Sequence, residues 1–305
     1  MNKSLKIGAS VAISWAWGTS LILGMQIAQT KGVEAFGIWA FANTITLAVF
    51  GLLYKAKILT DRLLEYKFVH WVTLLIQAFC LVIQLKILNE VLLPVVGDAC
   101  STYALVSAIG LFFVGIMWKR GLYTSIWTDN WQGAITMVSL MAMLGICVGT
   151  GANEYVLPHS DASSIAWGVW SACILLSGII TDLQHWQRAK ADNVGYAFEW
   201  ATLFFGLYMG LVFGLAHYEL VGINRALLIV AVLGVTTSTI DSIAVAMHRM
   251  FNKTIGTLTC FAICLAWGLL IDFGVVDIWS HFGIVRVGLA CTMLYLGIRQ
   301  WRVLR

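Results

Sequence analysis

Long apolar runs separated by short polar stretches dominate the hydrophobic pattern of this chain. About 20 consecutive apolar residues are enough to span the hydrocarbon core of a bilayer, and ten segments meet that measure. They cover residues 5–29, 33–55, 68–93, 101–119, 127–150, 164–189, 194–216, 222–249, 254–273 and 278–299. Because the connections between them are short, the pattern predicts an all-α polytopic membrane protein with ten transmembrane helices.

Two of these segments are interrupted at matching distances from their starts. The first carries small residues and hydroxyls between two tryptophans at residues 14–20 (SWAWGTS), and the sixth carries Ser177 and Gly178. Such residues also mark ordinary helix–helix contacts in membranes, so a packing surface is the alternative interpretation. Glycine interruptions at corresponding positions of two halves are typical of a transporter's binding site, which favours broken helices 1 and 6.

The ten segments divide into two sets of five, residues 1–152 and residues 153–305. Five is an odd number, so the two sets must cross the membrane in opposite senses. Two halves of opposite orientation are the arrangement from which an inverted repeat is built. We therefore expect one membrane domain composed of two inverted five-helix repeats.

Composition excludes several classes of protein. Charged residues are 11% of the chain and hydrophobic residues 60%, with a mean hydropathy of +0.86, whereas soluble domains carry about 25% charged residues. The net charge of +4 is spread over loops, without the basic run that nucleic-acid binding needs. The seven cysteines have no metal-ligand spacing. No nucleophile–base pair is evident, so we expect neither an enzyme nor an organic cofactor.

The distribution of lysine and arginine predicts the orientation. With the N-terminus inside, most of these residues, Arg188 among them, fall on the inner face, and the outer side keeps Lys31, Lys86, Arg225 and Arg286. Positive residues are enriched in cytoplasmic loops. The sequence therefore predicts a multi-pass protein of the cell (inner or plasma) membrane, embedded in the lipid bilayer with both termini cytoplasmic.

A polar run in the eighth segment is the first candidate for binding chemistry. One face of this segment presents Val235, Ser238, Thr239 and Ser242, and Asp241 lies beside two of the hydroxyls. Polar groups at this depth are costly unless they have partners. A sodium ion needs oxygen ligands, some of which the free carbonyls of an opened helix could supply. Alternatively, the hydroxyls bond carbonyls of their own helix and Asp241 pairs elsewhere.

Other polar residues leave two interpretations open. Asp129 follows Thr128 at the predicted start of the fifth segment, where it would be a helix N-cap or an ion ligand. Asp182, after the interruption of the sixth segment, has the same alternatives, with capping favoured. Gln77 and Gln84 share one face of the third segment and either contact a solute or form interhelical hydrogen bonds.

Four motifs in order resemble the sodium:solute symporter family. They are residues 14–21 (SWAWGTSL) followed by Lys31-Gly32 and Trp39-Ala40, Thr128-Asp129 with Gln132, residues 182–189 (DLQHWQRA), and residues 238–242 (STIDS). The first is similar to the urea/polyamine branch. The others resemble the family's Thr-Asp-x-x-Gln, Gln-Arg and helix 8 sodium motifs. The resemblance covers the ten-helix core of the family.

The resemblance implies the leucine-transporter-type fold, with helices 1 and 6 unwound at the centre, and three sets of site residues. A sodium site would use the carbonyls of Ile13, Ala16 and Val235 and the hydroxyls of Ser238 and Thr239. A possible second, inner sodium site would use Asp129, Ser238, Asp241 and Ser242. The solute would lie near Trp17, Thr19, Ser20, Gln77, Leu175, Gly178 and Ile179.

The activity implied by the resemblance is sodium-coupled symport of a small organic solute by alternating access, with Na⁺ as the coupling ion. The apolar residues on the helix 6 side of the solute site argue against sugars. Two alternatives stay open. One is a sodium-independent facilitator or channel for a small neutral solute such as urea, and the other is a non-transporting sensor or partner protein that retains the fold.

Overall fold

The chain folds into a bundle of helices. The computed structural model describes residues 3–191, 196–270 and 275–303, with side chains in the last range from Trp279 onward. Twelve α-helices follow one another: α1 Lys3–Trp15, α2 Gly18–Lys31, α3 Val33–Lys55, α4 Lys67–Val96, α5 Ala99–Arg120, α6 Leu122–Thr150, α7 Ala162–Thr181, α8 Leu183–Ala191, α9 Ala197–Ala216, α10 Ile223–Met250, α11 Lys253–Ala266 and α12 Val275–Val303. Two short 3₁₀ segments, Asp61–Glu65 and Trp267–Leu270, complete the described helices.

The predicted class, a multi-pass helical membrane protein, is confirmed. Within the described residues, nine helices are long and apolar enough to cross a membrane, and the bent pair α1–α2 makes a tenth candidate span. Helix α3, Val33–Lys55, has the bounds predicted for the second segment. The predicted start of the seventh segment at residue 194 and the predicted end of the ninth at residue 273 lie outside the described residues.

The first break lies where the sequence predicts it. Helix α1 ends at Trp15, α2 begins at Gly18, and the two helices differ in direction by 60°. Trp17, at the break, has a φ of 27°, which residues with a side chain rarely adopt. The N–H of Gly18 donates to Oε1 of the buried Gln84 (3.2 Å). This interhelical bond satisfies a backbone donor that the start of α2 would otherwise leave unpaired.

The second break does not lie at Ser177 and Gly178, so that prediction is wrong. Helix α7 continues to Thr181, and the break is at Asp182. The hydroxyl of Ser177 donates to the carbonyl of Ile174 (2.7 Å), and that of Thr181 donates to the carbonyl of Gly178 (3.0 Å). Both hydroxyls thus bond their own helix, and the helix ends only where the polar residues begin.

The capping interpretation of Asp129 is also wrong. Helix α6 begins at Leu122, so Asp129 lies in its second turn and is completely buried. Asp182 does occupy the junction between α7 and α8, but its carboxylate accepts from the side chain of Gln184 (2.7 Å). Both aspartates therefore face partners inside the bundle.

Three basic residues that the charge distribution placed at the membrane surfaces are buried. Lys86, Arg188 and Arg286 have exposed fractions of 4%, 0% and 4%. Lys86 donates to the carbonyl of Leu270 (2.8 Å). The rule that locates positive residues at the membrane surfaces applies to loops. It therefore gives the wrong position for a cation that lies within a helix and whose side chain is buried in the bundle.

Close packing at one glycine of α12 gives a first prediction. A Cβ at Gly297 would overlap the carbonyl oxygen of Ile58, whereas one at Gly288 on the same helix would meet no atom within 4 Å. We expect Gly297→Ala to destabilise the protein by about 1–3 kcal/mol through this overlap. Gly288→Ala, the matched control, should leave stability unchanged or raise it by about 0.5–1 kcal/mol. Thermal unfolding in detergent measures both, and equal midpoints would contradict the packing.

The loop before α7 gives a pH-dependent prediction. Glu34 accepts from the backbone N–H of Ser160 (2.7 Å) and lies 2.8 Å from Nδ1 of His159. The hydrogen bond and the charge of Glu34 raise the pKa of His159 above its ordinary value. The stabilising contribution is therefore complete below the unfolded pKa of about 6.5 and is lost as pH rises through the folded pKa. NMR titration of His159 should show a lower midpoint in Glu34→Gln, and identical midpoints would refute the pairing.

Candidate functional site

A buried arginine joins four helices near the junction of α7 and α8. Arg188 on α8 donates from Nη2 to Asp129 Oδ2 (2.5 Å) and to the hydroxyl of Ser242 (2.7 Å). Its Nε donates to the hydroxyl of Ser10 (2.8 Å), and its Nη1 to the carbonyl of Gln184 (3.0 Å). The guanidinium therefore has oxygen acceptors on α1, α6, α8 and α10.

A second carboxylate lies in the same cluster. Asp241 on α10 accepts hydrogen bonds from the hydroxyls of Ser125 and Thr128 on α6, both at 2.8 Å. Ser125 is also within 3.3 Å of Arg188 Nη2. Asp129 thus pairs directly with the guanidinium, whereas both oxygens of Asp241 accept from hydroxyls, two of which also contact Arg188, as burial requires.

The predicted inner sodium set is brought together by the fold. Its members Asp129, Ser238, Asp241 and Ser242 all belong to this cluster, and Ser238 donates to Asp129 Oδ1 (2.6 Å). The sequence did not indicate that Arg188 would lie among them. A cation of the protein itself occupies the centre of this set.

A third buried carboxylate lies at the α7–α8 junction. Asp182 accepts from Gln184 through Oδ2, lies 3.7 Å from His185, and has no partner at Oδ1. Arg286 on α12 interacts electrostatically with it but lies beyond ion-pair distance. Asp182 is therefore a buried carboxylate with one unpaired oxygen.

Two of the five predicted outer sodium ligands meet at the helix 1 break. The hydroxyl of Thr239 lies 3.3 Å from the carbonyl of Ser14 and 3.0 Å from that of Val235. The helix 1 oxygen in this position is therefore that of Ser14, between the predicted Ile13 and Ala16. The bond to Val235 is the within-helix bond of the alternative interpretation, and the bond to Ser14 joins α10 to α1.

The other three predicted ligands face elsewhere. The carbonyl of Ile13 accepts from the N–H of Ala16 (3.1 Å), and that of Ala16 from the hydroxyl of Tyr208 (3.5 Å). Ser238 bonds Asp129. Ile13 and Ala16 instead line a mainly apolar cavity of about 220 Å³ between α1, α6 and α9, which reaches Asp129.

A separate cavity of about 110 Å³ ends at the break between α1 and α2. Its walls come from α2, α3, α7 and α12, and Lys31 lies at the end of α2 that the sequence predicts to face outward. Of the predicted solute residues, four line it: Trp17, Thr19, Ser20 and Leu175. Gln77, Gly178 and Ile179 do not. Gln77 donates to the carbonyl of Thr181 at 3.5 Å, an interhelical bond.

Sequence reasoning missed Asn43 and Arg286, which also line this cavity. Asn43 donates weakly to the hydroxyl of Ser20 (3.4 Å). Arg286 lies in the middle of an apolar segment, and an ionisable residue at that depth is itself a signal of a functional site. The charge distribution had assigned it to a surface instead.

Comparison of the sequence with models of known protein families finds no match, and no curated protein matches the chain significantly. The function is therefore inferred from the geometry and from the sequence motifs.

The buried cluster gives a prediction about stability. Arg188→Gln removes the cation and leaves the buried carboxylate of Asp129 without its ion partner, so we expect a loss of about 3–5 kcal/mol. Arg249→Gln is the matched control, because Arg249 pairs with Asp61 at 2.6 Å in a partly exposed position. That loss should be at most about 1 kcal/mol. Thermal unfolding distinguishes the two, and adding Asp129→Asn to Arg188→Gln should recover part of the loss. Equal destabilisation by both arginine variants would contradict the assigned role.

Proposed function

We propose that the protein is a secondary active transporter that couples the entry of a small organic solute to sodium by alternating access. The observation that carries the proposal is the shared position of cavity and polar contacts at the helix 1 break. The cavity ends there at Trp17, and the carbonyl of Ser14, from the same break, meets Thr239 of α10. One backbone opening thus serves both a solute cavity and a candidate ion site.

The proposed sodium position lies among the oxygens of Ser14, Val235 and Thr239. Sodium would replace the present hydrogen bonds of the Thr239 hydroxyl with ion–oxygen contacts. Carbonyls and hydroxyls are suitable ligands, because they replace the hydration shell of the ion. The proposed outer site therefore has oxygen ligands for a monovalent cation.

In the proposed cycle, sodium stabilises the contact between α1 and α10 while the cavity is open on the outer side. Solute binding closes that side, and release of sodium follows inward opening. One charge crossing about 100 mV provides about 2.3 kcal/mol, and a tenfold gradient adds about 1.4 kcal/mol. One sodium ion per cycle is therefore sufficient to drive substantial accumulation of solute.

The proposal includes the leucine-transporter-type arrangement suggested by the sequence motifs, with residues 1–152 and 153–305 as inverted repeats. It also includes a location in the cell membrane with cytoplasmic termini. The helix break in each half supports this arrangement, at Trp17 in the first and at Asp182 in the second. Unwound helices at mid-membrane are the sites at which such transporters bind ions and solutes.

A second candidate is a sodium-independent facilitator for a small neutral solute. The position of Arg188 favours it, because this guanidinium already contacts Asp129 and Ser242 of the predicted inner sodium set. A permanent cation there provides the charge that a second sodium ion would otherwise supply. The two candidates differ in whether sodium binds at Thr239.

Sodium binding is tested by thermal unfolding of the purified protein in sodium and in potassium at equal ionic strength. A ligand at about 100 times its dissociation constant stabilises by about 2.7 kcal/mol. We expect a sodium-specific increase in the midpoint that Thr239→Val abolishes, because this substitution keeps the shape and removes the hydroxyl. Thr259→Val is the matched control, since its hydroxyl also bonds a carbonyl four residues earlier, that of Ile255 at 2.9 Å.

The same preparations in proteoliposomes test coupling, by uptake of solutes with and without an inward sodium gradient. Equal midpoints in both salts over a wide range of concentration would refute the sodium site. Sodium-independent solute flux would then favour the facilitator. A sodium-specific shift retained in Thr239→Val would place the ion elsewhere.

A further inference from the structure

Arg286 is a buried cation at the wall of the cavity that ends at the helix 1 break. It belongs to α12, it is 4% exposed, and its guanidinium carbon lies 5.0 Å from the centre of the Trp17 ring. The geometry is that of a cation–π contact, which orients the guanidinium against the indole. Arg286 and the helix 1 break thus meet at the same end of the cavity.

The hydrogen-bonding capacity of this arginine is largely unused. Its Nε has no hydrogen-bond partner, and its Nη2 donates to the sulfur of Cys80 at 3.7 Å. A thiol sulfur is a weak acceptor. Among the described residues, no carboxylate lies within ion-pair distance of Arg286. A buried guanidinium in this situation has lost its water without gaining an anionic partner, which is costly.

A second unpaired donor lies beside it. The indole Nε1 of Trp17 is buried and has no acceptor. One buried acceptor of a residue on this cavity wall, Oδ1 of Asn43, is also unpaired. A buried guanidinium without a carboxylate partner and an unpaired indole N–H beside it favour an anionic ligand that carries at least two acceptor oxygens.

Groups of the protein that could supply this anion are already occupied or distant. Asp182 interacts electrostatically with Arg286 and has an unpaired Oδ1, but its carboxylate lies beyond ion-pair distance of the guanidinium. The start of α2 is not the anion-binding element either, because the N–H of Gly18 donates to Gln84. Arg286 and Trp17, which carry these donors, both line the cavity, and no acceptor of the described residues bonds Arg286 Nε or Trp17 Nε1.

We propose that this cavity binds a small solute through a carboxylate group, which Arg286 holds by charge-assisted hydrogen bonds and Trp17 Nε1 by a further bond. The planar guanidinium matches the geometry of a carboxylate. The remaining wall is mainly apolar, with Leu23, Ile27, Trp39, Leu175 and Trp279, and it suits a hydrocarbon or aromatic body. That this ligand is the transported solute rests on the proposed function.

The test compares carboxylates with amides of nearly the same shape. Acetate against acetamide and phenylacetate against phenylacetamide are titrated into the purified full chain at constant ionic strength, and the thermal midpoint gives apparent affinities. A hydrogen bond to a charged group contributes more than a neutral one, so we expect at least one acid to bind about tenfold tighter than its amide. Arg286→Gln should remove that preference.

Two further variants separate a local role from a general loss of structure. Trp17→Phe keeps the ring and removes the Nε1 donor, and it should weaken binding of the acid more than that of the amide. Arg225→Gln, the matched control, removes an exposed arginine near the start of α10 and should leave the preference unchanged. Should Arg286→Gln fail to fold, Arg286→Lys keeps the charge without the planar fork and should reduce the preference.

The proposal is overturned if each acid and its amide shift the midpoint equally, if no acid binds, or if Arg286→Gln retains the preference for acids. The titrations are repeated in sodium and in potassium, so that the two proposals can fail separately. A carboxylate preference without any effect of sodium retains the solute class and refutes the coupling. A sodium-specific shift without a carboxylate preference retains the coupling and refutes the solute class.

Discussion

The burial of Arg188 is the constraint on which the centre of the bundle depends. A guanidinium cannot be left without acceptors in an apolar interior, and its acceptors come from α1, α6, α8 and α10. Those four helices must therefore approach within hydrogen-bond distance of one point. The second carboxylate, Asp241, and the hydroxyls around it complete a network in which each acidic oxygen has a donor. This network fixes the relative positions of the helices that line the proposed ion site.

The helix 1 break lies directly beside this network, and side chains of other helices stabilise it. Gln84 pairs with the backbone at the start of α2, while Thr239 and Gln184 bond the carbonyl of Ser14 near the end of α1. An opened helix in a membrane is possible only where neighbouring residues satisfy its free backbone groups. The break therefore connects the cavity on one side with the ionic cluster on the other. This connection is the physical basis of the proposed coupling between a solute and an ion.

The two buried arginines differ in how far their charge is satisfied. Arg188 has a carboxylate and several hydroxyl or carbonyl acceptors, so it contributes to the architecture. Arg286 has a sulfur and an aromatic face, with an unpaired Nε. A buried cation whose N–H groups all have acceptors holds the helices of a membrane bundle together. A buried cation beside a cavity with N–H groups that lack acceptors is suited to binding a ligand. The contrast explains why the proposed solute site is assigned to Arg286 and the structural role to Arg188.

The sequence by itself determined the class of protein, the approximate spans, the break at Trp17 and the polar residues of α10. These features depend on local hydrophobicity and on residue type, which can be read along the chain. Only the tertiary structure decided that Asp129 is a buried ion partner, and that the sixth predicted segment breaks at Asp182, between α7 and α8. It also decided that Arg188 and Arg286 lie inside the bundle. The tertiary structure also decided that the carbonyl of Ser14 lies beside Thr239, instead of the predicted carbonyls of Ile13 and Ala16. The physical reason is that a charged or hydroxyl side chain chooses its partners across helices, and no local pattern specifies which helix will face it.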